Sequence, residues 1–439
     1  MTFNRHIRCA IALMLAAGTA HAQPSDPLRT TVEQAVNTNP EVTARFNAYR
    51  AAVDGVDVAR SGYLPKLDLT ATAGRDSDRN TARSPETENL NRREAGLTLT
   101  QVLWDGMGTK NDVARSGHDR LARYFELLDV TEQTALEAAR AHFDVQRYRR
   151  LVQLAEDNYV QHRYAYLQIQ SRFKAGVGRG VDLEQAGARV ALAESNLTTE
   201  VANLHDVTLR YQRIVGSAPP KELPTIAMLK AGLPASPAEA MTAAVRQSAA
   251  VSASIEGLRA ARSVVEGRKS AYQPRVEARV RGAVGRNVDS LQDQTRNATA
   301  EIVLNWNLYN GGADQARVRQ QTNLLSQATD LRDKTCRDVR QTAAIAYNDT
   351  RKLVDQLVYL DRNTIAIEKA RDAYRQQFDI GQRSLLDLLN SENELYTAKR
   401  SYVLAEEDLA TAIVRTYAGM GSLVASLGLK KPDSPDLAP

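Results

Sequence analysis

Two aspartates, Asp182 and Asp387, and one arginine, Arg383, stand beside glycine-bearing stretches that recur 205 residues apart. Gly176-x-Gly178-x-Gly180 superficially resembles a phosphate-cradling loop. It follows a helical run where a nucleotide fold needs a strand, and it lacks the lysine of a P-loop. Its spacing suits a tight turn between antiparallel helices instead. An aspartate just past such a turn is a common N-terminal cap, because its carboxylate meets free N–H groups at the positive end of the helix dipole. His118, His142, His162 and His205 are scattered without metal-ligand spacing. No Ser/His/Asp or Cys/His arrangement suggests a nucleophile, and Arg147, Arg149 and Arg150 read as a solvated helix face. Neither an enzyme nor a cofactor is expected.

The recurrence is wider than the turns. Arg172-Phe173-Lys174-Ala175-Gly176 with Asp182-Leu183 returns as Gln377-Phe378-Asp379-Ile380-Gly381 with Asp387-Leu388, and Leu103-Trp104-Asp105-Gly106 returns as Leu308-Tyr309-Asn310-Gly311. Val36 and Tyr63-Leu64-Pro65 match Val245 and Tyr272-Gln273-Pro274 at an offset of 209. This reads as a duplicated domain half. The four-residue change in offset is assigned to surface loops of unequal length, from Asp76 to Arg93 and from Arg286 to Ala298.

The first 22 residues read as a cleaved secretory signal: Arg5, His6 and Arg8, an apolar run from Cys9 to Ala17, then Ala20-His21-Ala22. Without them only Cys336 remains, so no intramolecular disulfide can form. The net charge of +5 is spread over 57 basic and 52 acidic residues, which makes no case for nucleic acid. No later apolar run approaches bilayer-spanning length. If this chain crosses a membrane, it does so as strands.

Long helices are expected from about Asn111 to Arg172 and from about Asp314 to Gln377, each roughly 90 Å at 1.5 Å per residue. The second carries a seam of Leu324, Ala328, Leu331, Val339, Ala346, Leu353, Leu357, Leu360 and Ile367. Shorter helices are expected at Thr31 to Ser61, Asp182 to Val215, Pro237 to Ala271 and Leu385 to Tyr417. Between them the period changes to two. Leu67, Leu69, Ala71 and Ala73 alternate with polar residues, as do Ala95, Leu97, Leu99 and Leu103, then Val276, Ala278, Val280 and Val284, then Ala300, Ile302, Leu304, Trp306 and Leu308. Four strands of about ten residues with one apolar face fit a transmembrane barrel. A soluble sandwich also alternates, but its core does not accept Arg279 and Arg281. Four strands cannot close around a lumen, so two chains (eight strands) or three (twelve) must combine. The expected plan is a first repeat at 23–215 with hairpin 66–104 and turn 173–182, a proline-rich linker at 216–236, a second repeat at 237–425 with hairpin 275–309 and turn 378–387, and a tail at 426–439.

Together the signal, the duplicated halves and the two turns resemble the TolC-like outer-membrane efflux proteins. Gly176 to Gln185 and Gly381 to Leu395 look most like the branch that serves type I protein secretion. The resemblance implies an α+β membrane protein of the outer membrane that spans the periplasm. It would be a homotrimer: a twelve-stranded β-barrel continuous with a helical coiled-coil tunnel. A periplasmic adaptor and an inner-membrane ABC transporter would dock at tip turns that include Gly176, Val177, Gly178, Gly381, Gln382 and Ser384. It also implies a polar gate, with Arg383 paired to Asp182, Asp387 forming one acidic ring, Asn390 in place of a second acid, and Phe378 in place of a tyrosine. Exported protein is the expected cargo, with small-molecule or metal efflux as the alternative. A pore-free periplasmic adaptor or structural coiled coil is the competing class.

Overall fold

The computed structural model describes residues 27–430 except 80, 83, 86, 224–231 and 289–291. The expected signal at 1–22, part of the linker and the tail beyond 430 lie outside the described residues. The first half runs α1 (Pro27–Thr38), α2 (Pro40–Arg60), a short 3-10 turn (Ser61–Tyr63), β1 (Lys66–Arg79), β2 (Thr87–Trp104), α3 (Gly108–Lys174) and α4 (Gly180–Val215). The same order returns as α5 (Pro237–Gln247), α6 (Ala249–Arg268), a second 3-10 turn (Lys269–Tyr272), β3 (Arg275–Arg286), β4 (Gln294–Asn305), α7 (Ala313–Asp379) and α8 (Leu385–Gly419), followed by α9 (Leu423–Ser426).

Each leading helix expected as one piece is two. Pro40 cannot donate to the preceding turn, and Asn39 caps the new start by accepting from the Glu41 amide at 2.8 Å. Ser248 divides α5 from α6 in the same way, accepting from the Val251 amide at 3.3 Å. The expected tail boundary at 426 also shifts. Leu423, Val424 and Leu427 are buried in the core, and Glu132 of α3 accepts from the Leu423 and Val424 amides at 3.0 and 3.3 Å. Those amides are free donors at the start of a four-residue helix, and the carboxylate satisfies them.

The strands make one antiparallel sheet in the order β1-β2-β3-β4, with β1 and β4 as open edges. Pairing runs from Lys66↔Thr100 out to Arg79↔Thr87, and from Arg275↔Asn305 out to Arg286↔Gln294. The first expected loop is therefore mostly strand, and the second is strand at Arg286 and from Gln294 onward. The remaining loops, 80–86 and 287–293, are equal in length; β1 has 14 residues and β3 has 12, which places two of the four, and the other two lie on the return, between Thr87 and Gly106 against Gln294 and Gly311. At the other end β4 stops at Asn305, so Trp306, Leu308 and Tyr309 lie beyond it, all exposed.

Directly opposed residues share a face. Leu67↔Leu99, Leu69↔Leu97, Leu99↔Val280, Ala278↔Ile302 and Val276↔Leu304 gather the apolar positions on one side. Asp68, Thr98, Arg279 and Arg281 share the other. A bulge at Val102/Trp104 brings Trp104 onto the apolar side opposite Val276. In the single chain that apolar side is open, with Leu69 72% and Ile302 73% exposed.

Helix packing is densest midway along α3, where Ala135, Ala138, Ala139 and Ala141 let α1, α4 and α8 approach closely. Here the Thr31 hydroxyl donates to the Pro27 carbonyl at 2.9 Å, so His142 Nδ1–H must donate to Thr31 Oγ1 at 3.1 Å. Burial pushes His142 down to about 4 and keeps it neutral. The α7 seam is buried at Ala346 and Leu353 but open at Leu324 and Leu331, toward the sheet.

The expected solvated arginine face is instead a clamp. Arg147 pairs with Asp408, Arg150 with Glu406 at 2.7 Å and Glu407 at 3.2 Å, and Arg149 donates to the Pro220 and Lys221 carbonyls. Although burial works against its charge, Arg150 is held above its ordinary value by these two glutamates. Burial pushes Glu407 up to about 7, against the pull of Arg150. A raised carboxyl favours folding fully below about 4.5, the ordinary value, and that contribution is lost as pH rises through about 7. Thermal melts from pH 5 to 8 should fall in the parent, and Glu407→Gln should flatten that fall. A parallel fall in both would remove Glu407 as its source.

Candidate gate at the helix turns

Both helix turns are built bond for bond alike. The Val177 amide donates to the Arg172 carbonyl at 3.1 Å and the Gln382 amide to Gln377 at 2.8 Å, while Gly176 and Gly381 donate to Phe173 and Phe378. This is the Schellman stop, and it needs a left-handed residue. Gly176 has φ 77° and Gly381 φ 79°. Gly178 is required for a different reason: a Cβ there would lie 2.7 Å from the Phe173 nitrogen. The matched position in the second turn is Arg383, whose side chain is free to project.

Arg383 does so onto its own hairpin. Its guanidinium lies 4.5 Å from the centre of the Tyr374 ring, donates to Gln377 Oε1 at 2.9 Å and approaches Asp387 Oδ2 at 3.6 Å. The expected Arg383–Asp182 pair is not formed within the chain. Asp387 is one helical turn on, and Gln377 and Tyr374 lie back across the turn on α7, all on the same hairpin and closer to hand than a second hairpin. Asp182 lies half-buried in the first turn of α4, where Arg179 is the cap residue and supplies no side-chain bond. Asp387 is no simple cap either. Ser384 caps α8 by accepting from the Asp387 amide at 3.2 Å, and its hydroxyl donates to Asp387 Oδ2 at 2.9 Å.

Asn390 and Phe378 connect the two hairpins. Asn390 Oδ1 accepts from Arg189 of α4 at 2.8 Å. Phe378 is buried with Ile169, Ala186, Leu385 and Leu389, and Arg172 of α3 lies 5.3 Å above its ring. Two further ties cross between the hairpins, Arg375 to Gln161 at 2.6 Å and Arg400 to Glu200 at 3.0 Å. Sequence reasoning quoted Arg172 in the turn motif without giving it a gate role, and it missed Arg189 and Tyr374. Their one visible signal was position: each lies within seven residues of a turn, on the helix that flanks it. The extreme tip is apolar and open, with Val177 78% and Ile380 69% exposed. Among the described residues no group of His, Cys, Asp and Glu is placed to hold a metal ion.

Comparison with known proteins agrees with this architecture. The outer membrane efflux protein BepC of Brucella suis is 26% identical over 429 residues, 97% of this chain and 92% of its own. The alkaline protease secretion protein AprF of Pseudomonas aeruginosa is 26% identical over 417 residues, 88% of this chain and 83% of its own. The crystal structure of the outer membrane protein VceC of Vibrio cholerae superposes with a TM-score of 0.79 at 14% identity, covering 90% of this chain and 96% of that one, which is a likeness of fold. The family described as "Outer membrane efflux protein" is matched by residues 31–216 and again by 241–422, and this chain belongs to it.

Proposed function

We propose that this outer-membrane protein is the passive channel of a tripartite export system, working with a periplasmic adaptor and an inner-membrane ABC transporter, and that its cargo is protein of the adhesin or toxin kind. The sheet carries the channel reading: four strands, one apolar face and two unpaired edges. Open edges are not tolerated in lipid, and β1 of one copy against β4 of the next satisfies both. Three copies give a twelve-stranded barrel and the homotrimer of the resemblance. The exposed Ile345, Val354, Val358 and Ile365 on α7 offer each neighbouring copy a seam to cover. The two repeats and the linker between them belong to the same reading, supported by the recurring order of elements.

Protein cargo is supported by the type I character of the turns and by the protease secretion for which AprF is named. Small-molecule or metal efflux is the second reading, favoured by the efflux in the name of BepC. Membership of the family displaces the pore-free adaptor. The wall of a water-filled tunnel does not encode a cargo as a pocket does, and the energy comes from the transporter. The gate lies at the turns, where Arg189–Asn390 and Arg172–Phe378 hold the hairpins together and Arg383, Asp182 and Asp387 face the tip.

Native mass spectrometry and planar-bilayer recording test the channel together. Three chains per particle and stepwise conductance are expected; a single chain without conductance rejects the reading. In the same recordings Asp387→Asn should weaken block by multivalent cations, because it removes one carboxylate per chain from the constriction. Equal block in mutant and parent discards that ring.

A further inference from the structure

The outer end of the sheet segregates charge by face. Beyond the apolar band, the side that carries Leu69 and Leu97 continues as Arg75 and Arg79 on β1, Arg93 on β2, Arg286 on β3 and Arg296 on β4. It holds no carboxylate along those strands. The opposite side carries Asp76, Asp78, Glu88 and Glu94, with Arg92 paired to Asp76 at 3.5 Å. Arg93 stands directly opposite Arg286, and a like-charge cross-strand pair is unfavourable unless something neutralises it. Among the described residues nothing does. Arg75, Arg93, Arg286 and Arg296 have no hydrogen-bond or ion-pair partner there. Glu94 and Asp293 line the same shallow hollow as Arg93 and Arg286, yet no ion pair joins them. Along β2 the odd-numbered residues from Asn89 to Leu99, apart from Ala95, are exposed, while the even-numbered ones are half-buried, so the arginines occupy the open, apolar-banded side.

Their height is set by the strand. Arg93 and Trp104 lie on the same side of β2, eleven residues apart, so roughly 36 Å separates them along an extended strand. At a barrel tilt of about 40° this becomes roughly 27 Å along the membrane normal, close to the apolar band of about 25 Å. Trp104, with Tyr63, Tyr272 and Trp306 exposed beside it, marks the interface next to the helices. The arginines then meet the headgroups of the far leaflet.

We propose that Arg75, Arg93, Arg286 and Arg296 form a binding site for the phosphates of the phosphorylated glycolipid, of the lipid A class, that makes up the outer leaflet. The proposal rests on the reading of the sheet as a barrel wall. Guanidinium forks match phosphate oxygens two at a time, and four of them around one strand junction suit a headgroup with more than one phosphate. Glycerophospholipid phosphates of the inner leaflet lie at the Trp104 end and do not reach the cluster.

The test is native mass spectrometry of the purified full-length protein titrated with bisphosphorylated lipid A, with its dephosphorylated form, and with phosphatidylglycerol. The parent should retain bisphosphorylated lipid A at least about tenfold better than an Arg93→Gln/Arg286→Gln variant, as loss of two charge-assisted contacts implies. Arg281→Gln, on the opposite face, should bind like the parent. Equal retention by parent and double variant overturns the site, as does equal retention of the dephosphorylated lipid. Phosphatidylglycerol held as well as lipid A overturns the glycolipid assignment. Planar-bilayer conductance of the same samples judges the barrel separately: pores without selective lipid retention refute the site alone, and no pores refute the wall on which it rests.

Discussion

Leu69→Arg will keep this protein from assembling in the outer membrane, and Thr70→Arg, one residue away, will not. Leu69 pairs with Leu97 in the middle of the apolar face, while Thr70 pairs with Gly96 on the other side. An arginine facing lipid near the bilayer midplane costs about 2–4 kcal/mol, which the three copies of the proposed trimeric barrel would multiply to about 6–12 kcal/mol. That is comparable to the whole stability of a typical domain. On the lumen side the same side chain stays in water beside Asp68 and Thr72. The readout is the fraction of chain recovered as membrane-embedded oligomer after density-gradient fractionation. Equal recovery of both variants contradicts the assignment of faces.

A second large effect is expected at the turns. Arg383→Ala should raise the mean conductance of purified channels in a planar bilayer, because it removes a cation–π contact, a hydrogen bond and an exposed ion pair from the second hairpin. Together these are worth about 2 kcal/mol per chain after allowance for exposure, which shifts the closed-to-open ratio by about thirtyfold. Arg189→Ala should act in the same direction by a different route, because it unties Asn390 and with it α4 from α8. Arg383→Lys separates charge from shape: it keeps the cation but loses the planar fork that lies over Tyr374. An unchanged conductance in Arg383→Ala removes that residue from the gate, and the Arg189 result then decides whether the gate lies between hairpins or within one.

What the sequence made legible depended on whether the physics was local. The two helix stops were readable because Gly176 and Gly381 supply a backbone conformation that other residues adopt at a cost. The long helices were readable from sixty-odd residues without proline. The outer halves of the strands were not. Beyond the apolar band a strand keeps its pairing but loses the alternation of oily and polar residues, so Asp76 to Arg79 and Thr87 to Arg93 look like loop. The breaks at Asn39-Pro40 and Ser248 were passed over; the proline was a usable signal, and the serine a fainter one, since serine also sits inside helices. At the candidate gate the residues were legible and their partners were not. Arg383 could have reached Asp182 or Asp387, and only the folded turn brings Asp387 and Tyr374 to it. Asn390 looked like a missing acid, while in the fold it is the acceptor that ties α8 to Arg189. Arg147 and Arg150 looked solvated because Asp408, Glu406 and Glu407 are more than 250 residues away, and Arg149 because its acceptors are backbone carbonyls of Pro220 and Lys221.

Protein cargo is the central claim, and quantitative mass spectrometry of the culture medium and shed surface proteins, from a deletion strain against its parent and against the complemented deletion, tests it most directly. Selective loss of one or a few large secreted proteins, restored on complementation, is expected. An unchanged set of secreted proteins, with new sensitivity to toxic compounds or metal ions, contradicts it and assigns the channel to small-molecule efflux.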